Sequence, residues 1–195
     1  MIAKEEKRIE ILDAAIKVFS EAGVEGATIE GIAKKAGIGK GTVYDYFDSK
    51  NTLFLEMIRY SGKRFSEGIV PVIEQGNTML EKIRLISQFY ASFLKEHLDM
   101  FRSIMTGQTL SEDMRSRMLK EMWTTATAVE DMIRDGIRTN ELRGNIDPEI
   151  AAATIMGGIQ NYAMKKMFID GFSPEDVDHE AVAQVILLGL ADKDR

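Results

Sequence analysis

Residues 28–50 read TIEGIAKKAGIGKGTVYDYFDSK. Thr28 supplies a side-chain oxygen where a helix start needs an acceptor, and Glu30 stands in the first turn, where the helix dipole favours an acid. Ile29, Ile32, Ala33 and Ala36 recur at helical spacing and give that helix an inner face. Gly37 permits a sharp turn, and a second short helix is predicted from Lys40 to Phe47. Two short helices across a tight glycine turn fit a helix-turn-helix, whose second helix enters the major groove of DNA. Gly39-Lys40-Gly41 keeps the start of that helix slim, so that backbone can approach a phosphate while Lys40 adds charge. Thr42 and Tyr44 then project toward base edges or phosphates, and Tyr46 and Lys50 toward the sugar-phosphate backbone. Phe47 is expected in the core.

Working outward, Ile11, Leu12, Ala15, Ile16, Phe19 and Ala22 share one face of a preceding helix, which Gly23 is placed to end. Asp48-Ser49 offers the cap of a fourth helix from Lys50, with Leu53, Phe54, Met57, Ile58 and Phe65 inward and Pro71 ending or kinking it. Beyond Gly76-Asn77, Leu80, Ile83, Ile86, Phe89, Tyr90, Phe93 and Leu94 form a broad apolar stripe, and Leu98, Phe101, Ile104 and Met105 a shorter one. Ser111-Glu112-Asp113 opens a long helix carrying Met114, Met118, Met122, Val129, Met132 and Ile133. Asp147-Pro148-Glu149 is a strong helix start, and Ser173-Pro174-Glu175 repeats the device before the last helix. Strand-like alternation is missing, so the fold class is all-α. The natural boundary lies near residues 46–50: residues 1–47 form the helix-turn-helix domain, and residues 48–195 the larger helical domain.

Hydrophobic residues make up 45% of the chain and charged ones 29%, which places it among globular proteins. No apolar run approaches the roughly 18 residues of a membrane span, and the charged start MIAKEEKRIEIL does not read as a signal peptide. The expected location is the cytoplasm. Cysteine is absent, which removes disulfides, thiol catalysis and thiolate metal sites together. The net charge of −6 argues against indiscriminate coating of nucleic acid, yet Lys34, Lys35 and Lys40 stand between Gly31 and Tyr44 without an acidic residue. A small positive tip on an acidic body results. Lys34 and Lys35 read better as solvated charges than as specific contacts.

Residues 28–54 resemble the DNA-binding signature of the TetR family of regulators. The resemblance rests on Thr28, Ile32-Ala33, Ala36-Gly37, Lys40-Gly41, Tyr44, Tyr46-Phe47, Lys50 and Leu53, and extends to the first helix with Phe19 and Gly23. It implies about nine helices, with an N-terminal three-helix helix-turn-helix followed by a ligand-binding and dimerisation domain. It implies a homodimer made by the last two helices, a palindromic double-stranded operator and a small-molecule effector. The DNA-binding residues are then Thr28, Lys40, Gly41, Thr42, Tyr44, Asp45, Tyr46 and Lys50. Two departures stand out. Gly39 replaces the usual Ser or Thr cap, and Asp45 sits between the two tyrosines, as a specificity determinant or simply facing solvent.

In the larger domain Phe89, Phe93, Met105, Met118, Met122 and Trp123 are candidates for contact with an apolar or aromatic effector, although most methionines of such a chain are ordinary core. Ala151, Ala152, Ala153, Gly157 and Gly158 put small residues on the penultimate helix, which fits close approach of a partner helix or a cavity wall. Ala153, Gly157, Val182, Val185 and Ile186 are the candidate dimer residues. His97 and His179 lie in no metal-binding or nucleophile pattern, and no glycine-rich phosphate loop is present, so no catalytic residue, metal or cofactor is expected. A ligand-responsive regulator, a repressor by family resemblance, therefore stands ahead of an enzyme. A DNA-bound scaffold that recruits a protein partner remains the alternative.

Overall fold

Eight α-helices and no strand make up the described residues of this computed structural model, namely 2–97, 112, 116 and 126–189. The chain divides into two compact units, Met1–Lys63 with His97–Trp123 and Arg64–Glu96 with Thr124–Arg195. No helix among the described residues is long and apolar enough to cross a membrane.

In the first unit, α1 (Ile2–Gly26) buries Ile11, Leu12, Ala15, Ile16 and Phe19, whereas Ala22, in the last turn before Gly23, stays exposed. Gly23 takes φ 71° and ψ 176°, a conformation open essentially only to glycine, and this breaks the regular helix. Thr28 accepts from the Gly31 amide at 3.0 Å and starts α2 (Ile29–Lys35). At the far end, Ile38 N donates to Ala33 O and Gly37 N to Lys34 O, with Gly37 at φ 68°. This is the paired closure that a left-handed glycine makes possible. The third helix, α3 (Lys40–Tyr44), is shorter than expected, because Tyr46 N turns back to Val43 O and closes the last residues as a turn. Ser49 caps α4 (Lys50–Gln75), its Oγ accepting from Thr52 N at 3.1 Å. One core unites these helices, with Phe19 and Phe54 meeting edge to face at 5.1 Å.

Pro71 does not end α4. It lies inside the helix near its C-terminal end, where a single missing N–H costs one ladder bond, and the chain turns only at Gly76-Asn77. Thr78 and Glu81 form a reciprocal cap for α5 (Met79–Glu96): Thr78 Oγ1 accepts from Glu81 N, and the Glu81 carboxylate accepts from Asn77 N and Thr78 N. These two amides hold the Glu81 carboxyl below its usual range. Helix α6 (Ala126–Arg138) buries Val129, Met132 and Ile133. Asp147 Oδ1 accepts from Glu149 N and Ile150 N and starts α7 (Pro148–Met164), as its sequence predicts. A π-helical turn, Lys165–Ile169, follows. In this unit α5 packs on α7 and the last helix, and α7 on α6.

Ser173-Pro174-Glu175 opens a single 3-10 turn rather than the last helix. Asp176 accepts from the Ser173 amide and hydroxyl, but Val177 is extended, and α8 (His179–Leu188) starts afresh with Asp178 accepting from Ala181 N. His179 joins this start to α5. A carbonyl only accepts, so Nε2–H donates to Pro174 O at 2.9 Å, and Nδ1 accepts from the Ser87 hydroxyl at 2.8 Å. This pairing requires a neutral ring. Burial holds its pKa below the ordinary 6.5, with Arg84 adding to the effect against the Pro174 bond and Asp178. The folded state thus binds this proton more weakly than the unfolded chain. The stability His179 contributes is complete above 6.5 and declines as the pH falls below that value. Thermal melts of wild type should lose more stability between about pH 7.5 and pH 5.5 than melts of His179→Gln. Parallel losses would remove His179 from the account.

The shorter apolar stripe at 98–105, Met105, Met114, Met118, Met122 and Trp123 lie outside the described residues. His97, directly after α5, is buried.

Candidate nucleic-acid interface

The orientation of α3 follows from two buried side chains four residues apart. Val43 is fully buried and Phe47 is 1% exposed, so this side of the segment faces the core formed with α1 and α4. Lys40, Gly41, Tyr44 and Asp45 consequently face away, with Tyr44 47% exposed. Thr42 is half-buried, and Tyr46 is half-buried against the same core. Thr28 is exposed at the start of α2. Its oxygen is taken by the Gly31 amide, which leaves the hydroxyl hydrogen to donate outward.

The two glycines of the turn into α3 have no internal explanation. Gly39 caps α3 without any side-chain bond. A Cβ on Gly41 would meet nothing within 4 Å, and its φ is not positive. Glycine inside a helix costs about 1 kcal/mol relative to alanine, so Gly41 weakens α3 without relieving any crowding within the chain.

The positive tip is partly neutralised. Lys35 pairs with Glu21 at 2.9 Å and Lys40 with Glu30 at 3.7 Å. Both pairs are exposed and of the kind worth little in water, so a phosphate can replace the carboxylate. Lys34 is exposed.

Lys50 departs from its expected place. Its ammonium does not point outward but donates to three carbonyl oxygens, Val24 at 3.0 Å, Glu25 at 3.2 Å and Ala27 at 3.1 Å. Carbonyls at the end of α1 and its junction with α2 attract a cation, and three of them take all three ammonium hydrogens inside the unit. Other basic groups reach the rim from α1. Lys4 lies over the Tyr46 ring at 5.9 Å, and Arg8 over the Phe47 ring at 5.1 Å while pairing with Glu56. These partners lie far apart in the sequence, so no local spacing signals them.

The other candidates sit in the second unit. Phe89 and Phe93 are half-buried on α5 and meet Phe65 at 5.2 and 5.0 Å, with Tyr90 edge-on to Phe65 at 6.0 Å. Gly68 lets the Phe89 ring lie against α4, since a Cβ there would approach Phe89 Cζ to 2.7 Å. The remaining effector candidates, Met105, Met118, Met122 and Trp123, are outside the described residues. On α7 and α8, Ala153 and Val185 are exposed, and Gly157, Val182 and Ile186 half-buried. Gly158 is matched within the chain, with Ile186 Cδ1 3.4 Å from where its Cβ would stand, whereas Gly157 faces open space. From Ile150 to Met164, and again from Ala181 to Leu188, no charged residue occurs. The two helices leave Ile150 67%, Val185 51% and Leu188 54% exposed. No cluster of three or more potential metal ligands occurs among the described residues.

Residues 11–57 match the family described as bacterial regulatory proteins of the tetR type, and residues 76–164 the tetracyclin repressor-like C-terminal domain. The chain is 26% identical to the fatty acid metabolism regulator protein of Bacillus subtilis over 82% of each chain. It is also 26% identical to the nucleoid occlusion factor SlmA of Vibrio atlanticus, over 80% of this chain and 82% of that one. The transcriptional regulator FadR of Bacillus subtilis, solved in complex with stearoyl-CoA, shares the fold with a TM-score of 0.75, at 22% identity over 94% of this chain and 99% of that one. The matching families are of transcriptional regulators, not enzymes. With an N-terminal helix-turn-helix, a helical C-terminal region and both family matches, this chain belongs to the TetR family of bacterial transcriptional regulators.

Proposed function

We propose that this chain works as a homodimer on a palindromic operator and that an apolar effector releases it, which makes it a repressor. One observation carries the DNA reading: Val43 and Phe47 are buried, which turns Lys40, Gly41, Tyr44 and Asp45 outward on one rigid segment. Lys40 and the α3 backbone at Gly41 meet phosphate, as do Thr28 and Tyr46. Thr42 and Tyr44 lie nearest the base edges. Asp45 repels phosphate and is tolerated where it accepts from a cytosine amino group, so it biases the site toward a particular base. Lys50 is set aside from the contact set.

Gly41→Ala separates fold from function. The methyl enters open space in the free protein, so α3 gains up to about 1 kcal/mol and melting is unchanged or later. On DNA the same methyl occupies the space of the approaching strand. Affinity for a site selected from random DNA should fall at least about tenfold, equivalent to 1.4 kcal/mol. Unchanged affinity would remove close backbone approach from the account.

For the effector, the aromatic cluster of Phe65, Phe89, Tyr90 and Phe93 and the likeness to a fatty acid regulator support a long acyl chain carried as its CoA thioester. Stearoyl-CoA is the first probe, and release of bound DNA at micromolar concentrations is the expected result. The equal identity to a nucleoid occlusion factor supports a second reading, a DNA-bound scaffold that takes a protein partner instead. DNA binding that ignores a series of acyl-CoAs favours that reading.

A further inference from the structure

We infer that Lys50 is a positioning residue for DNA binding, whose ammonium ties the first turn of α4 to the α1–α2 junction and so holds the helix pair in the arrangement that fits DNA. This rests on the DNA-binding reading above. Val24, Glu25 and Ala27, which supply the three acceptors, all lie between the break at Gly23 and the cap at Thr28. A cation among these carbonyls is doubly favoured, by hydrogen bonding and by the negative end of α1.

The tie has a further consequence in the chain order. Ala27 precedes the α2 cap, Thr28, and Lys50 follows the α4 cap, Ser49. Everything between them is the helix pair: α2, the Gly37 turn, α3 and the Phe47 corner. Lys50 therefore closes this segment into a loop pinned at its base. The pin limits the freedom of the pair before DNA arrives, and such preorganisation raises affinity without a contact to the ligand. Moving the ammonium to a phosphate would leave three carbonyls without it. Lys40 differs, since among the described residues it meets an exposed carboxylate at 3.7 Å.

The test compares Lys50→Met with Lys40→Ala in the full chain, using operator DNA selected by the wild type and a salt series. Amide exchange across residues 24–33 is followed in parallel without DNA. Lys50→Met should speed that exchange and weaken DNA binding by about tenfold or more, as loss of hydrogen bonds to a charged group implies. Its plot of log affinity against log salt should keep the wild-type slope, whereas Lys40→Ala should lower the slope by about one. Lys50→Gln, which retains a donor toward the same carbonyls, should recover part of both losses and serves as the folded substitute if the methionine variant is unstable. A slope lowered by about one in either Lys50 variant would make it a phosphate contact and overturn the inference. Unchanged exchange with intact DNA binding would overturn it alone, while a wild type that selects no DNA would overturn the DNA reading with it.

Discussion

Val185→Glu is expected to split the proposed dimer and abolish tight operator binding while leaving the protomer folded. Val185 is 51% exposed on α8, beside a charge-free stretch of α7 that leaves Gly157 open. Water tolerates the new carboxylate on the separated protomer, so stability of the isolated chain should move by no more than about 0.5 kcal/mol. In a dimer the same group is stripped of water against an apolar partner and faces its own symmetry mate. Central interface positions cost about 2 kcal/mol or more on truncation, and a buried unpaired charge costs more, so dimerisation should weaken at least 100-fold. Two half-sites lie about 34–36 Å apart on DNA, and a linked pair of heads occupies both in one binding event. Losing that linkage lowers operator affinity by about 10²–10⁴. Light scattering and anisotropy on one preparation measure both effects. A variant that remains dimeric would move the dimer face away from α7 and α8.

Phe47→Ala should be the most damaging change in the first unit. The ring is 1% exposed, and Arg8 lies over its face. Removing a buried Phe typically costs about 3–5 kcal/mol, a large part of the 5–15 kcal/mol that holds a natural protein together. Phe47 and Val43 are the buried side chains that turn α3 inward on one side, so the variant should lose DNA binding together with thermal stability. Tyr44→Ala gives the contrast. At 47% exposure it should melt within about 0.5 kcal/mol of wild type and still lose affinity. Equal melting curves for Phe47→Ala and wild type would contradict the packing that orients the interface.

These residues also show why some of the molecule was legible in sequence and some was not. Thr28, Gly37, Ser49 and Asp147 act through neighbours two to five positions away, so their roles follow from local spacing and stand as expected in the structure. The buried faces of α1, α2 and α4 follow from helical period in the same way. Helix ends were less legible. A proline near the end of α4 is absorbed by a helix already long enough to stand without one bond, and Ser173-Pro174 commits only one turn because Val177 is extended. The contacts of Lys50 were not legible, because its position in the motif gives a charge and an approximate direction. Its acceptors lie 23–26 residues away, and only the folded chain brings them near. Still longer separations hid Lys4 and Arg8 beside Tyr46 and Phe47, and the bridge from Ser87 to His179.

The most direct measurement is selection of DNA from a random pool by the full chain, followed by anisotropy of the enriched site at two salt concentrations. One palindrome with half-sites a helical turn apart is expected, bound with an affinity that falls steeply as salt rises. Failure to enrich any sequence, with weak binding indifferent to salt, would contradict it.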